Sequence, residues 1–174
     1  MQNSKIKIEP IDKNDLKQIE EILRQWLFDS QTGEFREDEL VEDMELMKNS
    51  LSSDNERKYY VATTNDKVIG VVGMQPVYHK LEKFVQGKDS VEVINLYVDK
   101  NSQGLGVGKA LMTEIEEASK SFGHDEILLW SGPRFKDTAW GFYDHLEGWS
   151  RAGIVKTVEG YGDFPAWRKK VIKK

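Results

Sequence analysis

The stretch Gln103–Lys109, reading Gln-Gly-Leu-Gly-Val-Gly-Lys, constrains the fold of this chain more than any other. Upstream, Val91–Val98 is rich in β-branched and aromatic residues, the mark of a strand. Downstream, Val107, Leu111, Ile115, Ala118 and Phe122 recur at helical spacing. The order is strand, glycine turn, helix. Glycines take positive φ and let a ligand come close, while the first turn of a helix offers unpaired N–H groups at the positive end of its dipole. Such a turn suits an anion, and a pyrophosphate best.

The remaining composition narrows the classes. A chain of 174 residues fits one domain, 1–174, that buries roughly 70% of its unfolded surface. There is no cysteine, so a thiol nucleophile, a disulfide framework and a cysteine metal site are excluded. His79, His124 and His145 lack metal-ligand spacing, and no metal is expected. A net charge of -5 argues against a nucleic-acid partner. No apolar run reaches the ~18 residues of a membrane span, and Met1–Pro10 lacks the apolar core of a secretory signal, so a cytoplasmic protein without a membrane partner is expected.

Periodicity and turn residues lay out the elements. Lys5–Glu9 alternates as a short strand, and Asn14 or Asp15 caps a helix whose stripe is Leu16, Ile19, Ile22, Leu23, Trp26 and Leu27, ending in the Ser30–Gly33 region. A second helix spans about Glu37–Lys48, with Leu40, Val41, Met44 and Met47 inward. Tyr59–Thr64 and Lys67–Met74 form a hairpin about Asn65-Asp66. An irregular or weakly helical stretch follows Pro76 to about Asp89. After the central strand, turn and helix come a strand at Glu126–Trp130, a helix at about Asp137–Leu146, and closing strands at Trp149–Val158 and Ala166–Ile172. The order β-α-α-β-β-β-α-β-α-β-β predicts an α/β (α+β) fold: a mixed, mostly antiparallel twisted sheet of about seven strands with helices on both faces.

The turn fails two nucleotide motifs. Aligned as a Walker A loop, it has Gln103 in place of the first glycine and Ala110 in place of the metal-binding hydroxyl. Read as a dinucleotide fingerprint it meets Lys109 or Leu111 where the last glycine belongs. What remains is Gln-x-x-Gly-x-Gly from Gln103, Gly106 and Gly108. This resembles the acyl-CoA loop of the GNAT superfamily of N-acetyltransferases. Phe142-Tyr143-Asp144-His145-Leu146-Glu147-Gly148-Trp149 is similar to that family's later Phe-Tyr-x-x-x-Gly-Phe segment, one residue longer before the glycine, and Ala139 stands where the family often has alanine. The order of elements also matches from first strand to last.

The resemblance implies a fold, a donor and roles. Acetyl-CoA would be the acyl donor, its pyrophosphate bound by backbone N–H groups of Gln103, Gly104, Leu105, Gly106, Val107, Gly108 and Lys109. Its pantetheine arm would pair with the main chain of Leu96, Tyr97 and Val98, on an open strand edge. Tyr143 would protonate the departing thiolate; the alternative is a core tyrosine. Glu92 stands eleven residues before Gln103, where some members carry a general base, and alternation puts it on the face of Ile94, Leu96 and Val98. The other reading of Glu92 is an exposed residue at the strand start. Lys136 occupies a position where the family often has a pantetheine-binding asparagine, so either Asp137 substitutes or that contact is missing.

The acceptor is less legible. Asp29–Glu56 is rich in acids, including Glu34, Glu37, Asp38, Glu39, Glu42, Asp43 and Glu45, which suits a cationic amine or else makes an ordinary solvated helix face. Trp26, Phe28, Phe35, Trp140, Trp149, Tyr161, Phe164 and Trp167 are either acceptor walls or core. Arg168, Lys169, Lys170, Lys173 and Lys174 read as a solvated strand edge and tail, or as an anion patch. The leading function is transfer of an acetyl group to a primary amine of a small molecule or peptide, directly and within a ternary complex. The alternatives are a noncatalytic acyl-CoA-binding or regulatory module and a nucleotide-binding domain of another type; a homodimer is open.

Overall fold

The computed structural model describes residues 5–156 and 162–172. Its strands are β1 (Lys7–Pro10), β2 (Lys58–Thr64), β3 (Lys67–Pro76), β4 (Ser90–Val98), β5 (Glu126–Trp130), β6 (Ser150–Lys156) and β7 (Asp163–Lys170). They lie in one seven-stranded sheet in the order β1-β2-β3-β4-β5-β7-β6. The helices are α1 (Leu16–Leu23), α2 (Glu37–Ser50), α3 (Val107–Ser121) and α4 (Gly141–Asp144). The mixed sheet follows the expectation: β4 and β5 are parallel, while β1 with β2, β2 with β3, β5 with β7 and β6 with β7 are antiparallel. Among the described residues no helix is long and apolar enough to cross a membrane.

The chain forms two compact units, one from Met1–Gln75 and Ile94–Ile115, the other from Pro76–Val93 and Glu116–Lys174. In the first, Ile19, Ile22, Leu23 and Leu27 meet Leu40 and Met47 of α2 and Tyr59, Val61, Val68 and Val71 of the β2–β3 hairpin. Asn65 and Asp66 both have positive φ, as a two-residue turn matched to the strand twist requires. The apolar stripe read as one long helix is broken: α1 stops at Leu23, and Trp26 and Leu27 follow in turns before Phe28 and Phe35 form an isolated antiparallel bridge. Asp15 sits at the N-cap, yet its carboxylate accepts the Asp12 N–H and closes the preceding turn instead of capping the helix.

Two apolar residues assigned inward point out. Val41 is 52% exposed, because Leu40, Met44 and Met47 already supply one inward residue per turn and Val41 lies about 100° round from Leu40. Phe122 is exposed just past the end of α3, whereas Val107, Leu111, Ile115 and Ala118 are buried. In the second unit, Leu81, Leu128, Val155 and Ala166 form a small core with Phe84, Trp130 and Phe164 against it. The expected helix at Asp137–Leu146 is instead a π turn, Lys136–Trp140, followed by the single turn of α4. Closure over five residues takes up one more residue than an α turn. The last strand starts earlier than expected, at Asp163, and Pro165 is accommodated within it. Val158, in the first closing strand expected, lies outside the described residues.

Candidate active site

In the first unit, β4 ends at Val98, a short 3-10 turn spans Lys100–Ser102, and α3 begins at Val107. Asp99 anchors the turn: its side chain accepts the Asn101 N–H at 2.8 Å and its own N–H donates to the Ile69 carbonyl at 2.9 Å. Residues Gln103, Gly104, Leu105 and Gly106 are all exposed, Leu105 at 66% despite its apolar side chain. Gly104 and Gly106 have φ of +74° and +82°, and a Cβ built on either would meet no protein atom within 4 Å. Glycine is thus required there by backbone conformation, and the space beside it is open. Gly108 is different, lying inside α3. The first turn of α2 carries Glu37, Asp38 and Glu39 at its positive end, whereas that of α3 carries no acid. A helix start without its own counter-charge favours an anion from outside.

The strand feeding that turn is bent. Asn95 has φ +50°, a left-handed conformation rare outside glycine but tolerated best by asparagine. Its side-chain oxygen accepts the Tyr59 hydroxyl at 2.9 Å, which holds the kink in place. Ile94 and Tyr97, three residues apart, both pack on the first unit's core. Strict alternation would put them on opposite faces, so the inserted residue shifts the pattern. The face expected to run from Glu92 through Ile94, Leu96 and Val98 therefore fails beyond Asn95. The Val98 carbonyl already accepts the Trp26 Nε1–H at 2.9 Å.

In the second unit, the parallel pairing of β4 with β5 runs over three pairs, from Ser90 opposite Glu126 to Glu92 opposite Leu128. Glu92 is only 1% exposed, which removes the reading of a solvated residue at the strand start. Its Oε2 accepts the Tyr78 backbone N–H at 2.8 Å and its Oε1 accepts the Trp130 Nε1–H at 2.9 Å. Tyr78 and Trp130 stack with centroids 5.8 Å apart. Neither aromatic residue was marked by the sequence, because each meets Glu92 only through the fold. What was readable was a lone glutamate between Val91 and Val93, the pattern of a carboxylate drawn into a buried strand.

Tyr143, on α4, is buried with its ring against Phe142 at 5.4 Å and Trp167 at 5.1 Å. Burial pushes its phenol pKa well above the ordinary tyrosine value, so it stays protonated at neutral pH. Neighbouring Asp144 is clamped by Arg151 through two bonds of 2.8 and 2.7 Å and accepts the Trp167 indole at 2.8 Å. The Arg151 fork, joined by the indole, holds the Asp144 carboxyl down at about 2 against the opposing effect of burial. This clamp fixes the C-terminal end of α4 to β6 and β7, and with it the position of Tyr143.

Comparison with known proteins identifies the family. The profile of the acetyltransferase (GNAT) family matches residues 20–149, about three quarters of the chain. This chain belongs to that family. Human N-acetyltransferase 8 is 26% identical over 132 residues, covering 76% of this chain and 52% of that protein. The chain thus spans about half the length of the curated relatives it matches. A GNAT-family acetyltransferase from Staphylococcus aureus Mu50 superposes with a TM-score of 0.71 at 17% identity, covering 97% of this chain and 100% of that one. An aminoglycoside 6'-N-acetyltransferase complexed with coenzyme A gives 0.69 at 19% identity, over 97% of this chain and 98% of that one. At such identities the structural likeness is one of fold.

Other residues of this GNAT chain take less specific places. Asp137 and Lys136 are exposed on the π turn, while the Trp140 Nε1 beside them is buried with no partner among the described residues. His124 Nδ1 lies 2.8 Å from Asp89, and His145 Nδ1 donates to the Gly141 carbonyl. The acidic segment is partly neutralised: Arg36 reaches Asp29, Asp38 and Glu39, and Arg24 reaches Glu37. Arg36 holds the Asp38 carboxyl down at about 2, and the Thr32 and Gln31 N–H groups lower that of Asp29. The C-terminal bases do not guard an edge, since β7 lies between β5 and β6. Arg168 donates to the Phe84 carbonyl and Lys169 pairs with Glu116 at 2.7 Å. Lys173, Lys174 and Tyr161 lie outside the described residues.

Proposed function

We propose that this chain is an acetyl-CoA-dependent N-acetyltransferase that moves the acetyl group to a primary amine by direct attack in a ternary complex. The observation that carries the reading is the pair of positive-φ glycines, Gly104 and Gly106, beside open space at the start of α3. A diphosphate fits that cradle: the first N–H groups of α3 have no acceptor within the helix, no acid occupies its first turn, and Lys109 adds a positive charge. The main chain from Gln103 to Lys109 takes the pyrophosphate, and main-chain groups of Leu96, Tyr97 and Val98 take the pantetheine amides. Asp137, exposed on the π turn, supplies the polar contact for which Lys136 is unsuited.

Acetyl-CoA brings an acyl group on a thioester, and the residues of this chain manage protons around it. Glu92, oriented by the Tyr78 N–H and the Trp130 indole, takes a proton from the incoming amine through water. As the amine nitrogen bonds to the carbonyl carbon and the carbon–sulfur bond breaks, Tyr143 gives its proton to the sulfur. The proton released from nitrogen restores the phenol through solvent, so one N–H proton ends on the thiol. Trp167 and the Asp144–Arg151 clamp hold Tyr143 in position.

The test has two stages. CoA binding is measured by titration calorimetry, and free-thiol release from acetyl-CoA is then followed against a panel of small amines and basic peptides. Amine-dependent release with acetylated product is expected. CoA binding without release for any amine would favour a noncatalytic acyl-CoA module, and absence of CoA binding would overturn the reading.

A further inference from the structure

In the first unit, the end of β4 is held by the segment that follows α1. Trp26 donates its Nε1–H to the Val98 carbonyl at 2.9 Å, and the Lys100 N–H donates to the Gln25 side-chain oxygen at 2.9 Å. The Lys100 ammonium lies over the Trp26 ring, 4.9 Å from its centroid. Two neighbouring residues thus grip both sides of Asp99, whose own N–H goes to the Ile69 carbonyl. The next two N–H groups are tied within the turn, Asn101 to the Asp99 carboxylate and Ser102 to the Asp99 carbonyl, each at 2.8 Å. The exposed turn of Gln103–Gly106 starts where these ties end.

The grip comes from a rigid base. The Gln25 and Trp26 N–H groups bond back to the Ile22 and Leu23 carbonyls, and Leu23 and Leu27, before and after them, are fully buried in the first unit's core. Of the two side-chain ties, the indole bond is half-buried and the Gln25 bond exposed, so the indole is the stronger restraint. A phosphate cradle built of main-chain N–H groups has no side chain to adjust, so its fit depends on where its backbone is held.

We infer that Trp26 is a positioning residue of the acyl-CoA cradle: its indole fixes the end of β4, and with it the turn that receives the pyrophosphate. The inference rests on the acetyltransferase reading and adds a residue to its donor site. Trp26 acts through Val98 and Lys100. Without its N–H those residues gain freedom that CoA must remove on binding, and the cost appears as lost affinity.

The test compares CoA affinity by titration calorimetry, at a temperature well below every Tm, in the unaltered chain, Trp26→Phe and Trp149→Phe. Phenylalanine keeps a ring face for Lys100 and deletes only the N–H. Trp149→Phe is the matched control, since it deletes an indole bond to Glu116 of 3.0 Å in the second unit. Trp26→Phe is expected to weaken CoA binding by about three- to tenfold, the scale of one neutral hydrogen bond, and Trp149→Phe to leave it unchanged. A fall in Tm alone is what a merely structural role would give. In the unaltered chain the Trp26 indole N–H resonance, assigned by triple-resonance spectra, is expected to move on CoA addition while that of Trp149 stays, and this reading is available even if a variant fails to fold. Unchanged CoA affinity in Trp26→Phe, equal loss in both variants, or a Trp26 resonance indifferent to CoA would overturn the inference alone. Failure of the unaltered chain to bind CoA would overturn the acetyltransferase reading, and this inference with it.

Discussion

Gly106→Ala separates a ligand cradle from a tight turn, because its two costs fall in different assays. Gly106 has φ +82° and open space where the methyl would go, so the methyl meets no protein atom. The folding cost is the left-handed conformation alone, about 1–2 kcal/mol for an L-residue. In a chain of this size that lowers Tm by roughly 2–8 °C. Gly123 is a matched control, with φ +91° and equally open space at the end of α3. Gly123→Ala should therefore show a similar drop in Tm by scanning fluorimetry. CoA affinity should diverge. The methyl at Gly106 enters the space assigned to the pyrophosphate and breaks at least one hydrogen bond to a charged oxygen, worth about 1.5–3 kcal/mol or roughly 10- to 100-fold in Kd. Titration calorimetry with CoA should show that loss for Gly106→Ala and none for Gly123→Ala. Unchanged CoA affinity in Gly106→Ala, or equal loss in both variants, would refute the cradle.

Tyr143→Phe should lower kcat by about 10²-fold, the scale of a missing general acid, with CoA Kd nearly unchanged; equal turnover would mark a packing residue. Glu92→Gln should cut kcat by a similar factor of about 10² and abolish the rise of rate with pH that deprotonation of a base produces, so a pH-rate profile identical to that of the unaltered chain would remove Glu92 from proton transfer. Asp144→Asn tests the clamp through acid stability. The carboxyl is lowered to about 2 by Arg151, so its stabilisation is present above the unfolded value of 3.8 and is lost as pH falls toward about 2. Because the side chain is 35% exposed, solvent screening reduces the contribution to about 1 kcal/mol at neutral pH. Urea melts should show Asp144→Asn less stable at pH 7 and the gap closing between pH 4 and pH 2; a constant gap would show that charge is not its source.

Much of this fold is legible locally because it depends on neighbours in the chain. The β2–β3 turn follows from Asn65-Asp66, the buried face of α3 from the spacing of Val107, Leu111, Ile115 and Ala118, and the cradle from glycines that alone take φ near +80° without strain. Errors fall where a pattern has two readings. Val41 fits an apolar helix face until α2 is rotated by Leu40 and Met47, and the α1 stripe continues into turns that bury Trp26 and Leu27 without extending the helix.

The sequence by itself determined the order of elements, the glycine turn that opens α3 and the candidate carboxylate and phenol, because backbone freedom, periodicity and side-chain chemistry are properties of short stretches. Only the tertiary structure decided what surrounds them. The kink at Asn95 needs the Tyr59 hydroxyl, 36 residues away; the burial of Glu92 needs the indole of Trp130, 38 residues away; and the placing of Tyr143 needs Trp167 together with the Arg151 clamp on Asp144. Hydrogen bonds and desolvation act through space, so a residue's partner, and with it the basicity of a carboxylate or the orientation of a ring, is set only when distant strands come together.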